Sequence, residues 1–126
     1  MDRFEINSVR AVGMHHHGPP DLILEEHYLK WEPENPKDLG NAVAIYDHHG
    51  KRRAYLTRDD AKIISDLYYG DCVNGYIICK PYVQGHVVCH TLGPQQECQL
   101  IFTAKNTELD FVHAILKSGN VQYVCK

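Results

Sequence analysis

The sequence predicts a mostly β domain with two helices, built as a small barrel or as a curled sheet with the helices on one side. Three observations predict this class. Short apolar runs alternate with polar residues along most of the chain, glycine- or proline-containing turns separate them, and only two segments show helical spacing. With 126 residues, 44% of them hydrophobic, we expect a single domain over residues 1–126.

The first element is a strand over Phe4–Met14, in which the alternation slips near Asn7-Ser8. A slip of this kind is typical of a β-bulge. Gly18-Pro19-Pro20 then exclude regular ladder pairing, so the triple histidine His15-His16-His17 is placed in a loop.

The next three strands are separated by recognisable turns. Leu22–Trp31 predicts a strand, in which Leu22, Leu24 and Tyr28 alternate and Leu29 and Trp31 fall outside the alternation. Two prolines, an asparagine, an aspartate and a glycine make Glu32–Gly40 a loop. Strands over Ala42–Tyr46 and Arg53–Leu56 flank a hairpin turn that contains Gly50.

The second half contains both helices and the remaining strands. The first helix spans 58–69, is capped by Thr57 and ends at Gly70; the second is capped by Asn106 or Thr107 and ends at Gly119. Strands are predicted over Cys72–Tyr82, Val83–Leu92 (turned at Gln84-Gly85), Cys98–Ala104 and Val121–Cys125, with a loop at Gly93–Gln96. The aromatic residues Trp31, Tyr68 and Tyr69 are expected in the core or at its rim, and Tyr76 and Tyr82 in a half-buried strand.

Composition restricts the class of protein. The net charge of −3 excludes a globally basic surface, so any nucleic acid would meet a local patch. The five cysteines include no Cys-x-x-Cys pair, which favours reduced thiols in an intracellular compartment. The apolar runs are far shorter than the roughly 20 residues of a membrane helix, so no membrane partner and no signal peptide are expected.

The triple histidine has three interpretations. Histidine rings can stack on bases, and their protonated forms can pair with phosphate. Imidazoles also bind zinc, but on an extended chain only His15 and His17 would point the same way, and no local cysteine or carboxylate motif completes a site. The third interpretation is a solvated loop. We therefore predict no metal and no cofactor.

The densest basic cluster is Lys51-Arg52-Arg53, to which Lys37 and Arg58 are added. Such a cluster can neutralise several phosphates. The competing interpretation is a solvated hairpin edge, where basic side chains discourage edge-to-edge pairing of strands. No catalytic arrangement of serine, cysteine, histidine or paired carboxylates has motif support, so we predict that the chain is not an enzyme.

Three consecutive pieces of the sequence resemble one family. The first is Val12-Gly13 at the end of the first strand. The second is Glu32-Pro33-Glu34-Asn35-Pro36-Lys37-Asp38 followed by Asn41-Ala42-Val43. The third is Gly50, Tyr55-Leu56 and then Arg58 at the start of a helix. This pattern, over about Val12 to Leu67, resembles the HIRAN domain, whose acidic-Pro-x-Asn-Pro-x-Asp loop it reproduces.

The resemblance implies a small OB-like or SH3-like β-barrel that binds single-stranded DNA, at its 3′-hydroxyl end, in the nucleus during DNA repair or replication-fork processing. The residues predicted to bind nucleic acid are the matches Asn35, Asp38 and Arg58, the replaced positions His15, His16, His17 and Lys37, and Lys51 and Arg52 of the basic cluster. The family's Asn and Asp are present as Asn35 and Asp38, and its basic residue at the helix start as Arg58. Its aromatic residues after Val-Gly and inside the Asn-Pro loop are replaced by the histidines and by Lys37.

Two alternatives remain at this point. Asp38 and Asn35 can close their own turn through their side chains instead of contacting a ligand. The whole domain can also be a protein–protein interaction module on the same barrel, with a diverged pocket. The acidic net charge and the replaced aromatic residues favour this second function.

Overall fold

A computed structural model describes residues 2–19, 22–82, 87–90 and 93–126. Within them the elements follow the predicted order of four strands, a helix, three strands, a helix and a strand. The strands are β1 (Arg3–Val12), β2 (His27–Trp31), β3 (Val43–Tyr46), β4 (Arg52–Leu56), β5 (Val73–Pro81), β6 (Val87–His90), β7 (Gly93–Ala104) and β8 (Tyr123–Cys125). The helices are α1 (Arg58–Tyr69) and α2 (Leu109–Ser118), and short 3₁₀ turns lie at Met14–His16, Lys37–Gly40 and Asn106–Glu108.

The strands close into an antiparallel barrel. The ring order is β7-β5-β2-β3-β4-β1, and β1 pairs with β7 to complete it. β6 adds to the first residues of β7, and β8 adds to the first half of β1. The predicted small barrel with two helices is therefore confirmed.

The long strand β1 pairs with β4, β7 and β8 and is irregular in the middle. Its register against β7 shifts between Ile6 and Val9, which confirms the bulge predicted from the sequence. Beyond the bulge, Ala11 and Val12 pair with Leu56 and Tyr55 of β4. This pairing brings the loop that follows β1 beside the junction of β4 and α1.

Apolar side chains from all sides of the ring fill the barrel and the space under the helices. β1 contributes four of them in alternation, interrupted only by the bulge. The helix α1 buries Ala61, Ile64 and Leu67, and α2 buries Val112 and Leu116. The largest fully buried side chains are Phe4, Ile6, Met14, Leu22, Leu29, Ile45, Leu56, Ile64, Leu67, Ile77, Leu100 and Leu116.

The second strand is shorter than predicted and has the opposite phase. It begins at His27, and Tyr28 faces outward. Leu22 lies outside this strand but is buried. Its N–H donates to Oε1 of Gln96 at 2.7 Å, and Nε2 of Gln96 donates to its carbonyl at 3.3 Å. The predicted alternation through Leu22, Leu24 and Tyr28 is wrong, because Leu24 is exposed.

The loop predicted at Gly93–Gln96 is instead the start of β7. It pairs with β6 from His90↔Gly93 to Val87↔Gln96. A proline is compatible with a strand near its beginning, which is where Pro94 lies. Of the strand predicted over Val83–Leu92, the structure describes Val87–His90, and the turn predicted at Gln84-Gly85 lies outside the described residues.

The helix α1 has the predicted span, but its cap differs. The hydroxyl of Thr57 donates to the Asp60 carboxylate at 3.0 Å and makes no capping bond to the backbone. The helix α2 begins at Leu109, after a 3₁₀ turn, so the caps predicted at Asn106 or Thr107 are wrong.

Both helices end at the predicted glycines, though not through a left-handed glycine. Gly70 and Gly119 have φ of −78° and −76°, and the residues that follow them, Asp71 and Asn120, take the left-handed conformation with φ of 53° and 57°. Asparagine and aspartate tolerate this region better than most residues.

The aromatic residues differ in their burial. Trp31 and Tyr68 pack against the core as expected, and Trp31 Nε1 donates to the Gly40 carbonyl at 2.9 Å. Tyr69 and Tyr76 are 82% and 74% exposed, so the burial predicted for both is wrong. Tyr76 lies where the register of β5 against β7 is irregular, between Asn74 and Ile78.

Two further features concern the cysteines and the helices. Cys72, Cys79 and Cys98 are buried free thiols. No helix in the described part of the chain combines the length and the apolar character needed to cross a membrane.

Candidate functional site

An open pocket of about 640 Å³ lies where β1 ends, between the start of α1 and the loop of residues 32–40, which we call the Asn-Pro loop. Several segments that are distant in sequence form its wall. They include the end of β1, the histidine loop (residues 15–17), the Lys37-Asp38 dipeptide, the Tyr55 ring, the first residues of α1 and Gln95.

The pocket brings together six of the nine residues predicted to bind nucleic acid. These are His15, His16, His17, Lys37, Asp38 and Arg58. The other three lie outside its wall: Asn35, Lys51 and Arg52. The resemblance-based prediction thus converges on one place for most of its residues, although they come from three separate segments.

The histidine loop is a 3₁₀ turn and not an extended chain. Gly13 enters it with φ of 76°, and the buried side chain of Met14 anchors it. The rings of His15 and His16 consequently lie 3.9 Å apart. The expectation that neighbouring histidines point to opposite sides is wrong for this pair, because it assumed extended backbone.

His17 is the most enclosed of the three histidines. Its ring centroid lies 6.0 Å from that of Tyr55. Burial, and next the positive charge of Arg52, lower the pKa of His17 below its ordinary value. The ring is therefore mainly neutral near pH 7, which suits stacking better than pairing with phosphate.

Asn35 closes the Asn-Pro loop from inside. Its Oδ1 accepts the Lys37 N–H at 2.9 Å, and its Nδ2 donates to Glu32 Oε1 at 3.0 Å and to the Tyr55 hydroxyl at 3.2 Å. Bonds of this pattern define an Asx turn. The side chain has the geometry of the turn-forming interpretation.

Asp38 differs from Asn35. It has left-handed backbone, with φ of 56° and ψ of 28°, and its side chain is 10% exposed. Lys37 Nζ lies 3.4 Å from Oδ2, but without hydrogen-bond geometry, and Oδ2 has no hydrogen-bond partner among the described residues. A buried acceptor without a donor is uncommon, and strained residues concentrate at binding sites.

Arg52 is held beside the pocket by Glu32. Its Nη2 donates to Glu32 Oε2 at 2.5 Å, and the Tyr46 hydroxyl donates to the same oxygen at 2.9 Å. Burial raises the pKa of Glu32, but the bonds from Arg52, Asn35 and Tyr46 outweigh it and leave the pKa below its ordinary value. The charge of Arg52 is thus largely neutralised inside the protein.

The remaining cations differ in position. Arg58 is exposed at the first turn of α1, where the helix dipole also favours anions. Lys51 is exposed on the hairpin, and its N–H donates to Asp47 Oδ1 at 3.0 Å. Arg53, predicted as part of the basic cluster, is buried.

Sequence reasoning missed two residues of this region. Tyr55 lies in the pocket wall with Lys37 Nζ 5.4 Å from its ring centroid, and Glu32 joins the loop to β3 and β4. Tyr55 alternates with the buried Ala54 and Leu56, which was the available signal for an outward-facing ring. In the described part of the chain, no three histidine, cysteine or acidic side chains are grouped so as to hold a metal ion.

Comparison with known proteins supports the fold. No family model matches the sequence, and no curated protein matches it. Among solved structures, the HIRAN domain of human HLTF superimposes with a TM-score of 0.74 at 17% identity, covering 98% of each chain. A protein from Lactobacillus plantarum superimposes with a TM-score of 0.57 at 12% identity, covering 79% of this chain and 96% of that one. The chain therefore has the fold of the HIRAN domain, as its motif indicated.

Proposed function

We propose that residues 1–126 form a non-catalytic module that binds the 3′-hydroxyl end of single-stranded DNA, in the nucleus, during DNA repair or replication-fork processing. The observation that carries this proposal is the carboxylate of Asp38 in the pocket wall: its buried Oδ2 accepts no hydrogen bond from the described residues, and Lys37 Nζ lies 3.4 Å away. An ionised carboxylate only accepts hydrogen bonds, so its natural partner is a hydroxyl or an N–H group.

A terminal ribose hydroxyl supplies the missing donor. A 3′-phosphate at the same position would bring a negative charge next to Asp38, and like charges in an enclosed site repel strongly. The pocket is therefore expected to distinguish a free hydroxyl from a phosphorylated end. This discrimination is specific to the end of a strand and does not require reading of the base.

The neighbouring side chains suit the rest of a terminal nucleotide. Lys37 and Arg58 lie in the same wall and can neutralise the preceding phosphate. The rings of His17 and Tyr55 offer flat surfaces for a base. The sequence lacks the family's aromatic residues after Val-Gly and inside the Asn-Pro loop. In this proposal the histidines and Tyr55 stack on the base instead.

Fluorescence anisotropy tests the proposal with three labelled oligothymidylates of equal length, ending in 3′-hydroxyl, in 3′-phosphate, or with the label at the 3′ end. Binding of the free hydroxyl end at least about tenfold more tightly than the other two supports the proposal. Equal binding of all three, or no binding at low salt, contradicts it.

A protein–protein interaction module is the second candidate. One observation favours it: Phe111 of α2 is 50% exposed beside Ile63 and Ile115 in a groove of about 410 Å³ between the helices. Under this function, a purified complex would survive nuclease treatment. It would also dissociate on Phe111→Asp but not on Asp38→Asn.

A further inference from the structure

A row of four tyrosines crosses the outside of the barrel. Tyr55, Tyr46, Tyr28 and Tyr76 belong to β4, β3, β2 and β5, which are consecutive neighbours in the ring. Tyr28 is paired directly with Tyr46 in the β2–β3 register, and its ring lies 5.8 Å from that of Tyr76. The row begins at the pocket, because Tyr55 is part of the pocket wall.

Basic side chains are interleaved with these rings. Lys37 and Arg52 lie over the Tyr55 ring, with 5.4 and 5.5 Å between the charged group and the centroid. Arg52 and Lys30 lie over the Tyr46 ring, each at 5.7 Å. These distances are within the range of cation–π contacts.

The far end of the row is open to solvent. Tyr76 and Tyr28 are 74% and 36% exposed, and with Tyr46 they border a groove of about 580 Å³. Single exposed apolar residues are ordinary, whereas aromatic side chains grouped on neighbouring strands are typical of a binding surface. The acidic neighbour Asp47 accepts hydrogen bonds from the N–H groups of His49 and Lys51 with its carboxylate.

Single-stranded DNA fits this combination of groups. Its bases stack on aromatic rings whatever their sequence, and its phosphates pair with the ammonium groups of lysines such as Lys30 and Lys37. Arg52, already paired with Glu32, contributes through its contacts with the rings. The row crosses three strand spacings of about 4.8 Å, and Tyr55 and Tyr76 are offset along their strands from Tyr46 and Tyr28, so the row is at least about 14 Å long. This length accommodates about four nucleotides stacked at about 3.4 Å.

We propose that this row, defined as Tyr55, Tyr46, Tyr28 and Tyr76 with Lys37, Arg52 and Lys30, is an aromatic track for the single-stranded DNA that leads away from the pocket. The inference rests on the proposed function and extends it: the pocket selects the end, and the track holds the nucleotides before it. The affinity of the protein is then expected to depend on strand length.

The test uses oligothymidylates of two, four and six nucleotides, all ending in 3′-hydroxyl, with the intact chain and its variants. Wild-type affinity is expected to rise from two to six nucleotides. Tyr76→Ala and Tyr28→Ala are each expected to weaken binding of the six-nucleotide strand at least about fivefold and to leave the dinucleotide unaffected. Tyr69→Ala is the matched control, because Tyr69 is 82% exposed on α1 and outside the row.

The outcomes separate the two proposals. End-selective binding that does not depend on length or on Tyr76 overturns the track and leaves the pocket standing. Length-dependent binding that is lost in Tyr76→Ala without any preference for a hydroxyl end supports the track and overturns the pocket. Absence of binding to every oligonucleotide overturns both proposals. If Tyr69→Ala weakens binding of the six-nucleotide strand as much as Tyr76→Ala does, the track is overturned.

Discussion

The guanidinium of Arg53 is hydrogen-bonded to the backbone of the histidine loop: Nη1 donates to the carbonyl of His17 at 2.6 Å. Nη2 donates to the carbonyl of Pro19 at 3.1 Å. Arg53 is 9% exposed, so its charge faces the loop and not the solvent. It therefore positions the wall of the pocket without lining it.

Replacing Arg53 with methionine is expected to lower the free energy of unfolding by roughly 1–3 kcal/mol, because two carbonyls lose a buried donor. Binding of 3′-hydroxyl ends should weaken as well, because the histidine loop loses its anchor. Urea denaturation and anisotropy measure the two effects. Lys51→Met, an exposed change on the same hairpin, is the control, and an Arg53→Met protein with unchanged stability would contradict this role.

Glu32 should make the fold sensitive to acid. Its folded-state pKa is below its ordinary value of 4.5, so its stabilising contribution is complete above about pH 4.5 and is lost as the pH falls through the lowered pKa. Glu32→Gln is expected to cost roughly 1.5–3 kcal/mol near pH 7, the strength of a hydrogen bond to a charged group. Urea titrations should show the gap between the two proteins closing below pH 4.5. A gap that stays constant down to pH 3 would exclude the linkage.

His27 is expected to make the free energy of unfolding depend on pH in a higher pH range than Glu32 does. It is buried, and burial lowers its pKa below the ordinary value of 6.5, although its Nδ1 is hydrogen-bonded to the Glu25 carbonyl at 2.8 Å. The unfolded chain therefore binds the proton more tightly, and stability is lost as the pH falls below 6.5. We expect the stability difference between wild type and His27→Asn to shrink from pH 7 to pH 5. Parallel pH curves for the two proteins would be inconsistent with a neutral buried imidazole.

Leu39 carries backbone strain beside the pocket. It has φ of 55° and is 84% exposed, so its side chain contributes little packing in return. Left-handed backbone costs an L-residue roughly 1–2 kcal/mol, and glycine avoids most of this cost at some entropic expense. Leu39→Gly should therefore stabilise the protein by roughly 0.5–1 kcal/mol in thermal or urea unfolding. A destabilised Leu39→Gly protein would show that the leucine side chain is needed.

Local signals in the sequence were sufficient for much of the fold. The spacing of Ala61, Ile64 and Leu67 predicted α1 with its observed ends, and the slip at Asn7-Ser8 predicted the bulge. The phase of β2 was not predictable from the same rule. Leu22 lies outside β2, and its backbone is hydrogen-bonded to the Gln96 side chain, 74 residues away, instead of to a neighbouring strand.

The candidate site was predictable only as far as the motif extends. The Asn-Pro loop indicated Asp38, which lies in the pocket wall. The opposite roles of Arg52 and Arg53 could not be separated from sequence, because these neighbours differ only in which side of β4 they occupy. That side is set by the irregular pairing of β3 with β4 at Tyr46.

The central claim is that the Asp38 carboxylate accepts a hydrogen bond from a terminal 3′-hydroxyl. A double-mutant cycle tests it most directly: wild type and Asp38→Ala are each titrated with the same single strand ending in 3′-hydroxyl or in 3′-hydrogen. We predict that wild type prefers the hydroxyl end roughly tenfold or more, and that Asp38→Ala binds both ends alike. Equal affinity of wild type for the two ends, or a preference that persists in Asp38→Ala, would contradict the claim.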